Sequence, residues 1–422
     1  MIGFLLTFCV YVTIVFLAII PAFGISYTGA EESPIYVLTV LGTNALAICY
    51  VVFQELFHHK QAKGSIGFYL LPLLILFLYV IEFAFGNLDD SSSTSKLIRY
   101  FFAYSASGII IGTYCYRFDR FDLIAKNLEP LAIICSIGLI ISLPSMYVED
   151  EMSSTIGGGG GHQTISYVAA ICFGIFSIGL RLKNMDRKYS YKLFASSYYR
   201  PIALALMIAN AVICIVGGGR GGAVLLIVNM LAVLFYFSKD KFWRTILSIA
   251  AGGAVFYLAV TNVSAWGIDE MFRKGAERAF AFIGADGKID MAETSERDRV
   301  YAVAGELIGS KPGLGYGPFH QYDICERYIS EPYCHNLFCE WLLQGGIPYF
   351  ALWLVVLIGS LRRIHRLIVQ GAYHLIPIVS YPLVVLMFSG TYLMMPLFWF
   401  SIVYSYGFTS RNRDRMKACY KK

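Results

Sequence analysis

Tyr333–Ser360 reads YCHNLFCEWLLQGGIPYFALWLVVLIGS. A polar segment ends on a His-Asn pair, His335–Asn336, and the chain then enters an apolar run over residues 337–360. That run is long enough to cross a bilayer, which takes about 20 mostly apolar residues. Its first turns hold a carboxylate, Glu340. In lipid a carboxylate needs a partner, or the positive end of its own helix. The stretch thus reads as a membrane-spanning helix with polar chemistry at its entrance.

The same reading extends outward. Similar apolar runs lie near residues 2–23, 35–57, 66–86, 97–116, 128–148, 163–181, 201–217, 221–238, 243–262, 372–390 and 392–409. Together they predict an all-α, polytopic integral membrane protein with about twelve transmembrane helices, each about 20 residues long. The composition agrees: 57% of the 422 residues are hydrophobic and 15% charged, against about 25% charged in soluble domains. Met1–Phe23 is expected to be a span and not a cleaved leader, because it has no basic n-region and its apolar stretch is too long.

Charge placement sets the expected topology. With the N-terminus inside, the inside loops carry Lys60 and Lys63; Arg117, Arg120 and Lys126; Arg181, Lys183, Arg187, Lys188 and Lys192; Lys239, Lys241 and Arg244; Arg362, Arg363 and Arg366; and a basic tail from Arg411. The short outside loops carry Glu31, Glu32, Asp89, Asp90 and Glu149–Glu151 instead. This follows the positive-inside rule and predicts both termini in the cytoplasm. The chain reads as a single membrane domain over 1–422, with one long outer loop at 263–336.

That outer loop has its own pattern. Ile268–Phe282 predicts a helix mixing Met271, Phe272, Phe280 and Phe282 with Arg273, Lys274 and Arg278, either at headgroup level or packed as an ordinary surface helix. Thr294 or Ser295 caps a second helix, Glu296 to Gly309, whose stripe is Val300, Val303, Ala304, Leu307 and Ile308. Arg297 and Tyr301, four apart, share a face. Pro312 and Gly313 end it.

Candidate residues for chemistry cluster on the outer side. Arg220 sits in Gly217-Gly-Gly-Arg-Gly-Gly222, where glycines admit a close ligand and an arginine suits an oxyanion; a snorkelling arginine in a tight hairpin is the plainer alternative. Arg297 and Arg299 suit bidentate phosphate binding, although Arg299 also fits as a solvated charge at a helix start. His335, with an unperturbed pKa of about 6.5, suits a proton acceptor or a polar anchor. Glu82, near the outer end of the third run, poses the same question as Glu340. The ten cysteines show no CxxC pair and no zinc-type spacing. Six of them, Cys9, Cys49, Cys115, Cys135, Cys172 and Cys214, fall in apolar spans as small core residues. Cys325 and Cys334 stand nine residues apart. They either form a disulfide ending beside His335 or remain, with Cys339, as three thiols.

The segment SERDRVYAVAGELIGSKPGLGYGPF at 295–319, followed by YCHNLFCEWLLQGG at 333–346, resembles the signature of bacterial O-antigen polymerases (Wzy) and O-antigen ligases. The matching residues are Arg297, Tyr301, Pro312, Gly315, Gly317, His335, Asn336, Glu340 and Gly345, with Arg220–Gly221 upstream. Tyr301 stands where tryptophan is commoner, and Cys334 where proline is commoner.

The resemblance implies a GT-C-like fold in the bacterial inner membrane, with the long loop in the periplasm and carrying short helices. It implies a glycosyltransferase that uses an undecaprenyl-pyrophosphate-linked oligosaccharide, by inverting transfer without metal or other cofactor. His335, Arg220 and Arg297 are then the expected catalytic residues. Arg299, Glu340, Asn336, Gly315, Gly317 and Tyr301 are the expected substrate-binding residues. Implied partners are the lipid-linked oligosaccharide, membrane lipids and a chain-length regulator protein, with no nucleic acid. A polymerase takes a second lipid-linked repeat unit as acceptor; a ligase takes the lipid A core. The polymerase is the favoured expectation. A secondary transporter of lipid-linked glycan shares the helix count, but transporters usually show related halves, and no such similarity is visible here.

Overall fold

The computed structural model describes residues 1–19, 34–58, 101–142, 162–182, 196–237, 268–280, 297–329 and 334–407, with residues 22, 60, 62, 191, 193 and 194 between them. The helices are α1 (Ile2–Ile19), α2 (Pro34–His58), a π-turn (Phe101–Ser105) running into α3 (Ala106–Arg117), α4 (Phe121–Ser142), α5 (His162–Leu182), α6 (Tyr199–Val216), α7 (Arg220–Phe237), α8 (Ile268–Phe280), α9 (Arg297–Ser310), α10 (Gln321–Tyr328), α11 (Leu337–Val369), α12 (Leu375–Phe388), a 3-10 turn (Tyr392–Met394) and α13 (Pro396–Gly407). The described residues contain no strand. All-helical architecture is what lipid requires of a chain that must satisfy its own backbone.

Among the described residues, seven helices are long and apolar enough to cross a membrane: α1, α2, α4, α5, α6, α7 and α11. The helix α12 is apolar but shorter, at 14 residues. The expected runs 66–86 and 243–262 lie outside the described residues, as do Glu82 and the basic tail.

The chain divides into two compact units: residues 1–38, 122–288 and 373–384, and residues 39–121, 289–372 and 385–422. The first unit centres on α5, which packs against α1, α6 and α7. Several polar groups in this apolar interior are paired. Asn229 of α7 donates to the Ala170 carbonyl (3.0 Å) and accepts from Ser380 (2.6 Å). The amide of Asn210 on α6 donates to Ser136 of α4 (2.7 Å). A polar side chain in hydrocarbon is costly unless it is bonded in this way.

In the second unit α13 packs on α3 and α11. Gly108 and Gly112 of α3 face the backbone of α13, so closely that a Cβ at Gly108 would lie 2.1 Å from the Pro396 carbonyl. Small residues four apart are how membrane helices gain such proximity. Arg117 at the end of α3 forms a two-pronged pair with Glu55 of α2, at 2.6 and 2.9 Å. The fork geometry of arginine makes this the strong form of ion pair.

Candidate active site

The second unit builds most of the expected site, beginning with α9. Val300, Ala304 and Leu307 are buried with Ile324, Cys325, Ile329, Cys334 and Leu343, while Tyr301, Val303 and Ile308 pack alongside half-buried. The predicted stripe is therefore the face that holds α9 down. Arg297 opens the helix, and its side chain lies outside the described residues. Arg299 is exposed.

Tyr301, on the side that faces the His-Asn pair, donates to the His335 carbonyl at 3.5 Å. His335 itself has φ of +51°, a left-handed backbone uncommon for a residue with a Cβ. Its ring Nδ1 lies 3.1 Å from the Phe388 carbonyl. A carbonyl oxygen cannot donate, so Nδ1 carries the hydrogen. In the neutral ring, Nε2 is then the basic nitrogen.

Asn336 ends the turn in extended backbone and caps α11: its side chain accepts from the amides of Phe338 (2.9 Å) and Cys339 (3.3 Å). Capping satisfies two of the four orphan amides at the helix start. One turn further on, Glu340 is 2% exposed. It accepts from the Thr391 hydroxyl and from the Gln344 amide (3.2 Å). The Tyr392 hydroxyl donates to Gln344 (2.6 Å) and lies 2.7 Å from the Tyr349 hydroxyl. These partners of Glu340 are neutral hydrogen-bond donors.

Aromatic rings enclose this ladder. Trp341 and Trp353 stack at 5.8 Å and 16°. Tyr392 meets Trp341 edge-on at 6.2 Å, and its carbonyl accepts from the Trp399 indole at 2.8 Å.

The Gly-x-Gly turn docks on a break in α11. Helical geometry fails at Gly345 and Gly346, and Pro348 follows. Pro348 has no N–H, so the Gln344 carbonyl loses its usual partner; it accepts from Gly317 instead (2.7 Å). The Leu343 carbonyl accepts from Tyr316 (2.7 Å), and the Ile347 amide donates to Pro312 (2.8 Å). Gly315 and Gly346 both have positive φ, and a Cβ on them would lie 2.5 Å from the Leu343 carbonyl and 2.4 Å from the Pro312 carbonyl. Gly315 and Gly317 therefore hold the loop against the helix.

Cys325 and Cys334 are both thiols, 0% and 1% exposed. The hydrogen bond with Cys325, together with burial, holds the Cys334 thiol well above its ordinary pKa.

Arg220 belongs to the first unit, at the start of α7. Gly218 turns the chain with φ of +64°, and the Gly219 amide donates to the Ser166 hydroxyl of α5 (2.9 Å). A Cβ at Gly222 would lie 2.3 Å from Ser166 Cβ, and one at Gly221 would lie 1.9 Å from the Tyr167 hydroxyl. These glycines thus bring the hairpin against α5. Close approach is what these glycines provide, and Ser166 and Tyr167 of α5 make it. The surface helix α8 covers the end of α6, with Phe272 buried against Val216 and Gly275 against the Ile215 carbonyl. Two of its cations pair along the helix, Lys274 with Glu270 at 2.7 Å and Arg273 with Glu277 at 3.3 Å.

The residues just described, from the hairpin of Arg220 to the break in α11, occupy one continuous stretch of sequence. Residues 202–354 match the family model described as O-antigen ligase. The match supports the O-antigen ligase and polymerase superfamily, and it contains Arg220, Arg297, Arg299, Tyr301, Gly315, Gly317, His335, Asn336 and Glu340. Phe388, Thr391 and Tyr392, which bond to that stretch, lie outside it. The chain is also 24% identical over 155 residues to the Non-structural protein 3 of Human coronavirus NL63; the aligned region is 36% of this chain and 65% of that protein's length.

Sequence reasoning missed Ser166, Gln344, Phe388, Thr391 and Tyr392. Gly390, alone between two apolar runs, was the available signal for the last three, since an isolated glycine there marks a turn. Among the described residues, no group of three or more His, Cys, Asp or Glu side chains is placed to hold a metal ion.

Proposed function

We propose that the protein is a polymerase of O-antigen or a related surface polysaccharide, joining undecaprenyl-pyrophosphate-linked repeat units by inverting, metal-independent glycosyl transfer. The observation that carries this reading is His335, whose Nδ1 lies 3.1 Å from the Phe388 carbonyl, inside the stretch that matches the O-antigen ligase family; a carbonyl can only accept, so the basic nitrogen of the neutral ring is Nε2.

In the transfer, a hydroxyl oxygen of the acceptor sugar attacks the anomeric carbon of the donor. The bond from that carbon to the pyrophosphate oxygen breaks, and its electron pair leaves with undecaprenyl pyrophosphate. Nε2 of His335 takes the hydroxyl proton. Arg220 and Arg297 bind the pyrophosphate and stabilise the charge that grows on it. Arg299 and Tyr301 bind the substrate, and Asn336 and Glu340 support the histidine from the first turns of α11. The reaction runs at the periplasmic face of the inner membrane, in a GT-C-like bundle of about twelve spans of about 20 residues. Membrane lipids surround it, and a chain-length regulator is its protein partner.

Ligation of the glycan to lipid A core is the second reading, favoured by the description of the matching family. Purified protein given a lipid-linked repeat unit alone should form a ladder of longer lipid-linked products. A ladder only when lipid A core is added, and carried by that core, makes the protein a ligase. No transfer to either acceptor sinks the proposal.

A further inference from the structure

The chain from the end of α12 to the turn before α13 touches the candidate site through three residues, Phe388, Thr391 and Tyr392. The last residue of α12, Phe388, supplies the carbonyl that meets His335 Nδ1 at 3.1 Å. Three residues later, Thr391 gives its hydroxyl hydrogen to Glu340. The next residue, Tyr392, donates to Gln344 at 2.6 Å. One short break therefore holds the histidine and the first turns of its helix together.

The break depends on Gly390. In a continuing helix the Phe388 carbonyl would accept from the amide four residues on, that of Tyr392. The chain instead turns at Gly390, whose φ is +72°. Thr391 follows in extended backbone and caps the 3-10 turn, accepting from the Leu393 amide at 3.2 Å. That leaves the Phe388 carbonyl for His335. The turn is anchored from behind by Ser105, which donates to the Leu393 carbonyl (2.7 Å), and by the Trp399 indole on the Tyr392 carbonyl (2.8 Å). A Cβ at Gly390 would meet nothing within 4 Å. Glycine is needed there for its backbone and not for space, since a left-handed residue is strained for most side chains and far less so for asparagine.

We infer that Gly390 is a positioning residue for the transfer: its left-handed turn presents the Phe388 carbonyl to His335, which fixes the hydrogen on Nδ1 and keeps Nε2 as the base. The inference rests on His335 being the base of the proposed transfer, but its spectroscopic arm does not.

The test uses the full-length protein with nitrogen-15-labelled histidine, at a pH where the ring is neutral. The His335 signals are assigned by their loss in His335→Gln. The expected spectrum shows Nδ1 as the protonated nitrogen and Nε2 as the bare one. In Gly390→Val that signature is lost or mixed. In the same variant kcat falls by about tenfold or more, part of the hundred- to ten-thousand-fold that a general base contributes, while KM stays within about twofold. Gly390→Asn restores both the signature and most of kcat. A hydrogen on Nε2 in the unmodified protein overturns the inference without any variant having to fold. So does a Gly390→Val protein with the original signature and kcat. If Gly390→Val does not fold, Gly390→Ala applies the same backbone strain with a smaller side chain and is judged by the same criteria. A fully active His335→Gln protein would instead remove the proposed transfer mechanism, and the spectrum would still decide the tautomer.

Discussion

Ile347 gives its amide hydrogen to the carbonyl of Pro312, 2.8 Å away and across a loop, and not to Leu343 four residues behind it. The Leu343 and Gln344 carbonyls are thereby free for Tyr316 and Gly317. The helix break and the Gly-x-Gly turn are thus one structure: each satisfies the backbone groups that the other leaves open, as buried backbone must be.

The exchange predicts a contrast among glycines. Gly346→Ala and Gly315→Ala meet both a left-handed backbone and a carbonyl within 2.5 Å, and each should destabilise the protein by about 1–3 kcal/mol. Gly305→Ala, in open space on α9, should be neutral or stabilise by about 0.4–1 kcal/mol. Thermal melts of the three variants in one detergent check this. Equal melting temperatures would mean that the docking of loop on helix contributes little.

His335→Ala should abolish the product ladder, because it removes the proposed base. Glu340→Gln and Thr391→Val should only weaken it, since the partners described for Glu340 are a hydroxyl and an amide that position it. Product distributions from the purified variants rank the three. A normal ladder from His335→Ala would reduce that residue to an interfacial anchor.

Arg220→Ala and Arg297→Ala should each stop transfer while protein levels stay near normal, and Arg297→Lys should recover part of it, because lysine cannot bind a phosphate with two parallel hydrogen bonds. The motivation is the placement of both residues in the stretch matched to the O-antigen ligase family. Complementation of a strain lacking the gene gives the answer; a wild-type glycan from either alanine variant excludes that arginine.

Cys325 and Cys334 should both be recovered as alkylated thiols when membrane protein is denatured in alkylating reagent without reductant. They are buried, free and bonded to each other as thiols. A peptide mass carrying the bridge would show that the oxidised form prevails in the cell.

Much of this was legible in the sequence. The apolar runs gave α1, α2, α5, α6, α7 and α11 because bilayer thickness demands a length no soluble helix pattern imitates. The stripe from Val300 to Ile308 gave the buried face of α9, since helical periodicity survives any tertiary context. What the sequence hid was partnership at long range. Nothing near Glu340 announces Thr391, and nothing near His335 announces the Phe388 carbonyl, because a backbone acceptor has no signature of residue type. The glycines around Arg220 admitted two readings, a close ligand or a tight hairpin, for a related reason. Glycine permits close approach, but its identity does not say whether a ligand or a neighbouring helix makes that approach, and here Ser166 and Tyr167 of α5 do.

Three of the five tryptophans, Trp341, Trp353 and Trp399, are gathered around Tyr392. Indole emission depends on the polarity and the ring contacts around it, and this cluster is joined through Tyr392 and Gln344 to the helix that begins at the candidate base. The protein therefore carries its own optical reporter. Its intrinsic fluorescence should register occupancy of the proposed lipid-linked donor in real time, with no label attached.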